Sequence, residues 1–99
     1  MKHQEDSNLL NFVKDKFISL QLLNMTSDVR LTIEPYLISV VNKKIIPYES
    51  MRDYCIVKLH EKYLIANKQS VKDTLIDLEI DFEVSSRQIR RILQKNRLF

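Results

Sequence analysis

The chain of 99 residues contains no glycine. Glycine is the residue that supplies positive φ in tight β-hairpin turns and lets phosphate-binding loops approach their ligand closely. A sequence without glycine therefore disfavours β-rich folds and any nucleotide-binding fold built on a glycine-rich turn. We expect a mainly helical protein, with room for one short strand at Ile45 to Tyr48, where Pro47 favours an extended backbone at the preceding residue.

The composition is that of a small globular protein without a membrane segment. Hydrophobic residues make up 44% of the chain and charged residues 29%, and the apolar runs are far shorter than the roughly 20 residues of a membrane helix. The N-terminus carries acids where a secretory signal has a basic and then an apolar run. The single cysteine, Cys55, excludes an internal disulfide. We therefore expect a cytoplasmic location.

The first part of the chain, residues 1 to 49, predicts a helical region that could serve for dimerisation. Between Ser7, a candidate N-cap, and Asn24, apolar residues recur at steps of three and four: Leu9, Leu10, Val13, Phe17, Leu20 and Leu23. Further apolar residues flank this stripe: Phe12, Ile18 and Leu22. So broad an apolar surface fits either a core helix or a dimer interface.

The topology of residues 25 to 49 stays open. Val29 to Glu34 alternates apolar and polar residues like a strand, but it also fits a short helix capped by Ser27. Pro35 either stops this element or begins a new helix. Tyr36 to Val41 fits an apolar helix or a buried strand.

The second part, residues 50 to 99, predicts three helices at about 51–66, 71–82 and 86–96. Each is preceded by a serine followed three residues later by Asp or Gln, a spacing typical of helix N-termini: Ser50 and Asp53, Ser70 and Asp73, Ser85 and Gln88. Residues 76 to 84 alternate apolar and acidic side chains, which is also a strand pattern. The preceding cap and the scarcity of strand-forming residue types favour the helix.

The last predicted helix has the composition of a nucleic-acid-binding helix. Its apolar stripe is Ile89, Ile92 and Leu93, and its other positions carry donors for phosphates and base edges: Ser86, Arg87, Gln88, Arg90, Arg91, Gln94, Lys95 and Arg97. We expect the early residues up to Arg90 at base edges, and Arg91, Lys95 and Arg97 at phosphates. Nothing after Glu83 is acidic, whereas ordinary surface helices mix both signs of charge.

The stretch LEIDFEVSSRQIRRI, Leu78 to Ile92, resembles the helix-turn-helix of bacterial and phage regulators. Two positions depart from that pattern. Glu79 stands where those proteins usually have a small residue, which would affect the closest approach of the two helices. Glu83 stands where they usually have the turn glycine, so it would need a backbone conformation that glycine adopts more easily.

The order of motifs from Lys43 to Lys95 is also similar to the Mor transcription activator family of phages. Members have a short strand like "YIP", a helix with "RD-x-x-I" and a C-terminal helix-turn-helix after an N-terminal dimerisation region. The matching residues here are KIIPY at 44–48, then Arg52, Asp53 and Ile56. The resemblance implies a homodimeric transcriptional regulator that binds double-stranded DNA through residues 86 to 96.

An alternative is a protein–protein adaptor, or a phage or plasmid accessory protein, whose basic C-terminal helix docks on an acidic partner. The apolar end Leu98-Phe99 favours this alternative. RNA binding is less favoured, because the basic helix carries no aromatic residues. The candidate metal ligands His3, Cys55 and His60 are too scattered for a zinc site. No glycine-flanked nucleophile turn is present, so we expect no enzyme, no cofactor and no small-molecule ligand.

Overall fold

A computed structural model describes the backbone of residues 2–97 and the side chains of residues 8–96. This part of the chain forms helices and no strand: α1 Lys2–Leu22, α2 Ser27–Asn42, α3 Tyr48–Ala66, α4 Val71–Phe82 and α5 Ser86–Arg97. The prediction of a mainly helical fold is confirmed. None of the described helices is both long and apolar enough to cross a membrane. The chain divides into two compact units, Met1–Arg52 and Asp53–Phe99, and the division falls inside α3.

The short strand allowed for Ile45 to Tyr48 is absent from the described residues. Residues 43 to 47 form the connection between α2 and α3, and Tyr48 is already the first residue of α3. Lys44 has φ 58°, a left-handed conformation that terminates α2. A strand needs a neighbouring strand to satisfy its backbone groups, and no other described segment offers one.

In the first unit, α1 and α2 pack against each other. Val13 and Phe17 of α1 and Val41 of α2 are buried. The predicted apolar stripe is correct at Val13 and Phe17 and wrong at its end: α1 stops at Leu22, which is buried, so Leu23 lies beyond the helix and is 64% exposed. Helix α1 starts at Lys2, so Ser7 lies inside it rather than at its N-cap. The guanidinium of Arg30 donates to the carbonyl of Leu22 at 3.0 Å and thereby satisfies a C-terminal carbonyl of α1.

Helix α2 decides the topology that the sequence left open. The helix is capped by Thr26, whose hydroxyl accepts from the backbone N–H of Val29 at 3.4 Å. Ser27, the residue proposed from the sequence, is instead the first residue of the helix. Both strand alternatives for residues 29 to 41 are therefore wrong.

Pro35 lies within α2 and neither stops nor starts a helix. Proline in a helix interior costs about 3 kcal/mol because it removes a hydrogen bond and crowds the preceding turn. Pro35 is exposed and the carbonyl that loses its donor belongs to Leu31, which is 76% exposed. Half-buried Ile33 and buried Val41 lie on either side of Pro35 in the chain, so ending the helix there would separate parts of one apolar face.

The second unit contains most of α3, all of α4 and all of α5. The apolar side chains buried there are Cys55, Ile56 and Leu59 of α3, Leu75, Leu78 and Phe82 of α4, and Ile89 and Ile92 of α5. Helix α3 begins before its predicted start, and the first backbone bond runs from the N–H of Met51 to the carbonyl of Pro47 at 3.2 Å. Ser50 therefore lies within the first turn and is not the N-cap.

Helix α4 resolves the conflict over residues 76 to 84 in favour of helix as far as Phe82. The hydroxyl of Ser70 accepts from the backbone N–H of Asp73 at 3.3 Å and caps the N-terminus. Leu75, Leu78 and Phe82 face inward at helical spacing and are buried. The alternating pattern of the sequence exposes Ile76 and Ile80 on the opposite side of the helix.

Candidate nucleic-acid interface

Residues 83 to 85 form the connection between α4 and α5. Glu83 is left-handed, with φ 54° and ψ 46°, and its N–H donates to the carbonyl of Glu79 at 2.8 Å. Such a C-terminal conformation is usually occupied by glycine, and another residue pays roughly 1–2 kcal/mol for it. The hydroxyl of Ser85 then accepts from the N–H of Gln88 at 3.1 Å and caps α5. The chain thus ends one helix and begins the next within a short turn.

Helix α5 packs on α4 through one apolar face. Ile89 is fully buried, Ile92 is buried and Leu93 is half-buried. These are the residues that the sequence predicted to face inward. Since successive residues are about 100° apart around the helix, Arg87, Arg91 and Gln94 face away from this stripe.

The structure brings most of the predicted site residues onto the outward face of α5. The exposed members of the set are Arg87, Arg90, Arg91, Gln94 and Lys95, and the half-buried members are Ser86 and Gln88. The side chain of Arg97 lies outside the described side chains, although its backbone belongs to α5. The predicted set therefore forms one surface with an exposed cationic centre and two less accessible residues at the N-terminal end.

Among the residues whose side chains are described, none of the α5 arginines or lysines pairs with a carboxylate. Arg87 and Arg91, and Arg91 and Lys95, are spaced four apart, a spacing at which like charges destabilise a helix by about 0.2–0.5 kcal/mol per pair. The charge pattern of α5 is therefore slightly unfavourable for the isolated helix.

Two of the acids of α4 form hydrogen bonds to side chains of α3. Asp77 accepts from the side-chain amide of Asn67 at 2.8 Å, and Asp81 accepts from the phenol of Tyr63 at 2.6 Å. Burial raises the pKa of Tyr63 above its ordinary range, and the hydrogen bond to Asp81 raises this pKa further. The sequence analysis missed both contacts. Their signal was the matched spacing of four residues in the two pairs, which puts each pair on one helix face.

A groove between α4 and α5 adds one cation that the sequence analysis also missed. Its polar lining consists of Lys72, Glu79, Ser86 and Arg90, and its apolar lining of Val71, Leu75 and Ile76. Lys72 is exposed and lies in the first turn of α4. Half-buried Glu79 lines the groove at the position where the resembled regulators usually have a small residue.

The other candidate residues do not assemble into a metal site. Cys55 and His60 are both buried. No group of three potential His, Cys, Asp or Glu ligands occurs among the described residues. The side chain of His3 and the terminal Leu98-Phe99 lie outside the part of the chain that the structure describes.

Comparison of the chain with protein-family models, with curated proteins and with solved structures finds no match. The feature of the chain that bears most directly on function is the exposed basic face of α5. A capped N-terminus and a packed apolar stripe hold this helix in place.

Proposed function

We propose that the chain is a DNA-binding transcriptional regulator in which α4 and α5 act as a helix-turn-helix and α5 enters the major groove. The observation that carries the proposal is the outward face of α5, whose cations are exposed and make no ion pair among the described side chains. DNA phosphates supply the anions that this face lacks, and the binding releases counterions. The left-handed turn at Glu83 supports the proposal, since it lets α5 follow α4 immediately.

The position of each donor along α5 suggests its role. In a helix-turn-helix the N-terminal residues of the second helix contact base edges, so Arg87 and Arg90 are the residues we assign to bases. Arginine donates two parallel hydrogen bonds to guanine. Arg91 and Lys95 lie further along the helix and are assigned to phosphates. Half-buried Ser86 and Gln88 and exposed Gln94 complete the proposed surface.

A homodimer is the form in which such a unit reads two half-sites, about one helical turn or 34–36 Å apart. The resemblance to the Mor family supports this form, and the first unit would supply the interface. Sedimentation equilibrium at micromolar concentration measures the mass directly. A monomeric mass would contradict the dimer without touching the assignment of α5.

The experiment that tests DNA binding is fluorescence anisotropy of a labelled random-sequence duplex over a series of salt concentrations. Log affinity falls by about 0.9 per phosphate neutralised when log salt rises by one unit. We expect Arg87→Ala/Arg91→Ala to bind more weakly and to reduce the magnitude of this slope by about 0.9 per bound chain, since Arg91 is the member of the pair that we assign to a phosphate.

The matched control is Lys58→Ala/Lys62→Ala on α3. Both lysines are exposed and four residues apart on one helix, like Arg87 and Arg91, so the two variants have the same net charge. The control is expected to retain the wild-type slope. Equal slopes for the two variants would show that only net charge matters. Absence of binding even at low salt would instead favour the adaptor alternative, in which α5 docks on an acidic protein.

A further inference from the structure

A second surface of the Asp53–Phe99 unit lies between the C-terminal part of α3 and α4. It is a concavity lined by Tyr63, Ala66, Asp77, Ile80 and Asp81. These α4 residues lie on a different side of the helix from Glu79, which lines the groove toward α5. The concavity is therefore separate from the proposed DNA-binding face of α5.

The polar groups of this concavity are two carboxylates one helical turn apart, about 6 Å along the axis of α4. Asp77 and Asp81 each accept one hydrogen bond through Oδ2, from Asn67 and Tyr63 respectively. Among the described side chains neither carboxylate pairs with a lysine or an arginine. Since an ionised carboxylate offers about four acceptor positions, both retain acceptor capacity after these bonds.

The remaining lining is apolar and aromatic. The ring of Tyr63 and the side chain of Ala66 come from α3, and Ile80 from α4. Ile80 is 69% exposed, so a covering group would remove apolar surface from water. A cleft with apolar sides, one aromatic ring and two acceptors suits a long side chain with methylenes and a cationic head.

We propose that this concavity accepts an arginine side chain of a partner protein. The planar guanidinium presents five N–H donors that can reach both carboxylates and can also stack on an aromatic ring. Lysine carries a compact charge and cannot match two separated acceptors with the same geometry. The negative charge of Asp77 and Asp81 excludes nucleic acid as the occupant. Charge complementarity therefore assigns a basic protein segment to this surface, with an apolar neighbour placed on Ile80.

The test is a titration of the full 15N-labelled chain, followed by backbone amide shifts in NMR spectra. The probes are N-acetyl-arginine amide and N-acetyl-citrulline amide, which share their shape but differ in charge. We expect saturable shifts at residues 63–66 and 77–81 with the arginine probe alone. The dissociation constant should be on the order of millimolar for so small a ligand.

The diagnostic variant is Asp77→Asn/Asp81→Asn, because the amide oxygens can still accept from Asn67 and Tyr63 and the fold is retained. Its affinity for the arginine probe should fall roughly tenfold. The matched control is Asp73→Asn/Glu83→Gln, which removes two exposed charges from the ends of the same helical segment and should leave the affinity unchanged.

Three results would overturn the proposal: equal shifts with citrulline, an equal loss in the control variant, or no shift at about 100 mM probe, far above the expected dissociation constant. The diagnostic variant should still bind DNA, because the concavity and the basic face lie on different helices. A chain that does not bind the arginine probe can therefore still bind DNA through α5. A chain that does not bind DNA can still bind the arginine probe in the concavity.

Discussion

Replacing Glu83 by glycine should stabilise the protein, although the substitution removes a side chain. Glu83 has φ 54° and ψ 46°, a conformation in which the Cβ atom of an L-residue crowds the backbone. Relief of this crowding is worth roughly 1–2 kcal/mol. The greater freedom of glycine in the unfolded chain offsets about 0.4–1 kcal/mol of the gain. We expect the backbone change alone to increase the free energy of unfolding by about 0.5–1 kcal/mol. Loss of the negative charge adds a further gain, which the glycine and glutamine variants share.

Two further substitutions at the same position separate backbone strain from charge. Glu83→Gln keeps the Cβ atom and removes a negative charge close to the C-terminus of α4, which should gain at most about 0.3–1 kcal/mol. Glu83→Val places a β-branched side chain at a left-handed position and should lower the free energy of unfolding by about 1 kcal/mol or more. The expected order of stability is therefore glycine first, then glutamine, glutamate and valine.

Urea unfolding of the full chain, followed by far-UV circular dichroism, measures these differences. For a domain of 60–100 residues, 1 kcal/mol corresponds to a shift of about 4–8 °C in Tm, so thermal melts provide a second readout. The reasoning would be refuted if glycine were no more stabilising than glutamine. A loss of about 1 kcal/mol, as for glycine in an ordinary helix interior, would refute it more strongly.

Three other predictions, one of them with a control substitution at Ser50, are tested by the same unfolding assay. Tyr63→Phe should lose about 1 kcal/mol, because it removes a half-exposed bond to a carboxylate. Because the pKa of Tyr63 is raised in the folded state, the stabilisation by its hydrogen bond is complete below pH 10 and is lost as pH rises through the folded-state pKa. The difference in free energy of unfolding between wild type and Tyr63→Phe should therefore persist at pH 7 and narrow above pH 10. Ser85→Ala should lower the free energy of unfolding by about 1 kcal/mol, because it removes the N-cap of α5. Ser50 lies within the first turn of α3, so Ser50→Ala should change the free energy of unfolding little. Equal losses for the two variants would contradict the cap assignment. Phe82→Ala should lose about 3–5 kcal/mol because Phe82 is fully buried, and a loss below 1 kcal/mol would contradict that burial.

The C-terminal helices were predictable because local signals agree there. A serine cap, a run of apolar residues at steps of three and four, and a turn between them all indicate α4 and α5, and the inward set Ile89, Ile92 and Leu93 follows from the same periodicity. The basic residues of α5 occupy the remaining positions of the helix and are therefore predicted to face outward. For the alternating residues 76 to 82, the N-cap at Ser70 correctly favoured a helix over a strand.

Helix α2 was not predictable because its local signals conflict with its packing. Pro35 reads as a helix boundary, but half-buried and buried residues on either side of it belong to one packed face. At Pro35 a strong local preference is overruled by packing that a sequence window does not contain. Ser50 was misassigned for a local reason, since the first backbone bond of α3 runs from Met51 to Pro47 and the helix therefore begins before Ser50.

The contacts of Asp77 and Asp81 lie beyond sequence reasoning for a different reason. The acidic pattern of α4 was visible, but whether it faced solvent, α5 or α3 depends on the rotation of the helices about their axes. The bonds to Asn67 and Tyr63 fix that rotation between α3 and α4. Lys72 beside Arg90 is likewise a result of how α4 and α5 pack.

The most direct test of the central claim is to locate a bound duplex on the 15N-labelled chain by amide shifts. The duplex should carry random sequence and be added at low salt, where phosphate contacts are strongest. We expect the largest shifts to cluster in residues 84 to 95 and to decrease together as salt is raised. Shifts that cluster on the acidic concavity between α3 and α4, or that never reach α5, would contradict the assignment of α5 as the DNA-binding surface.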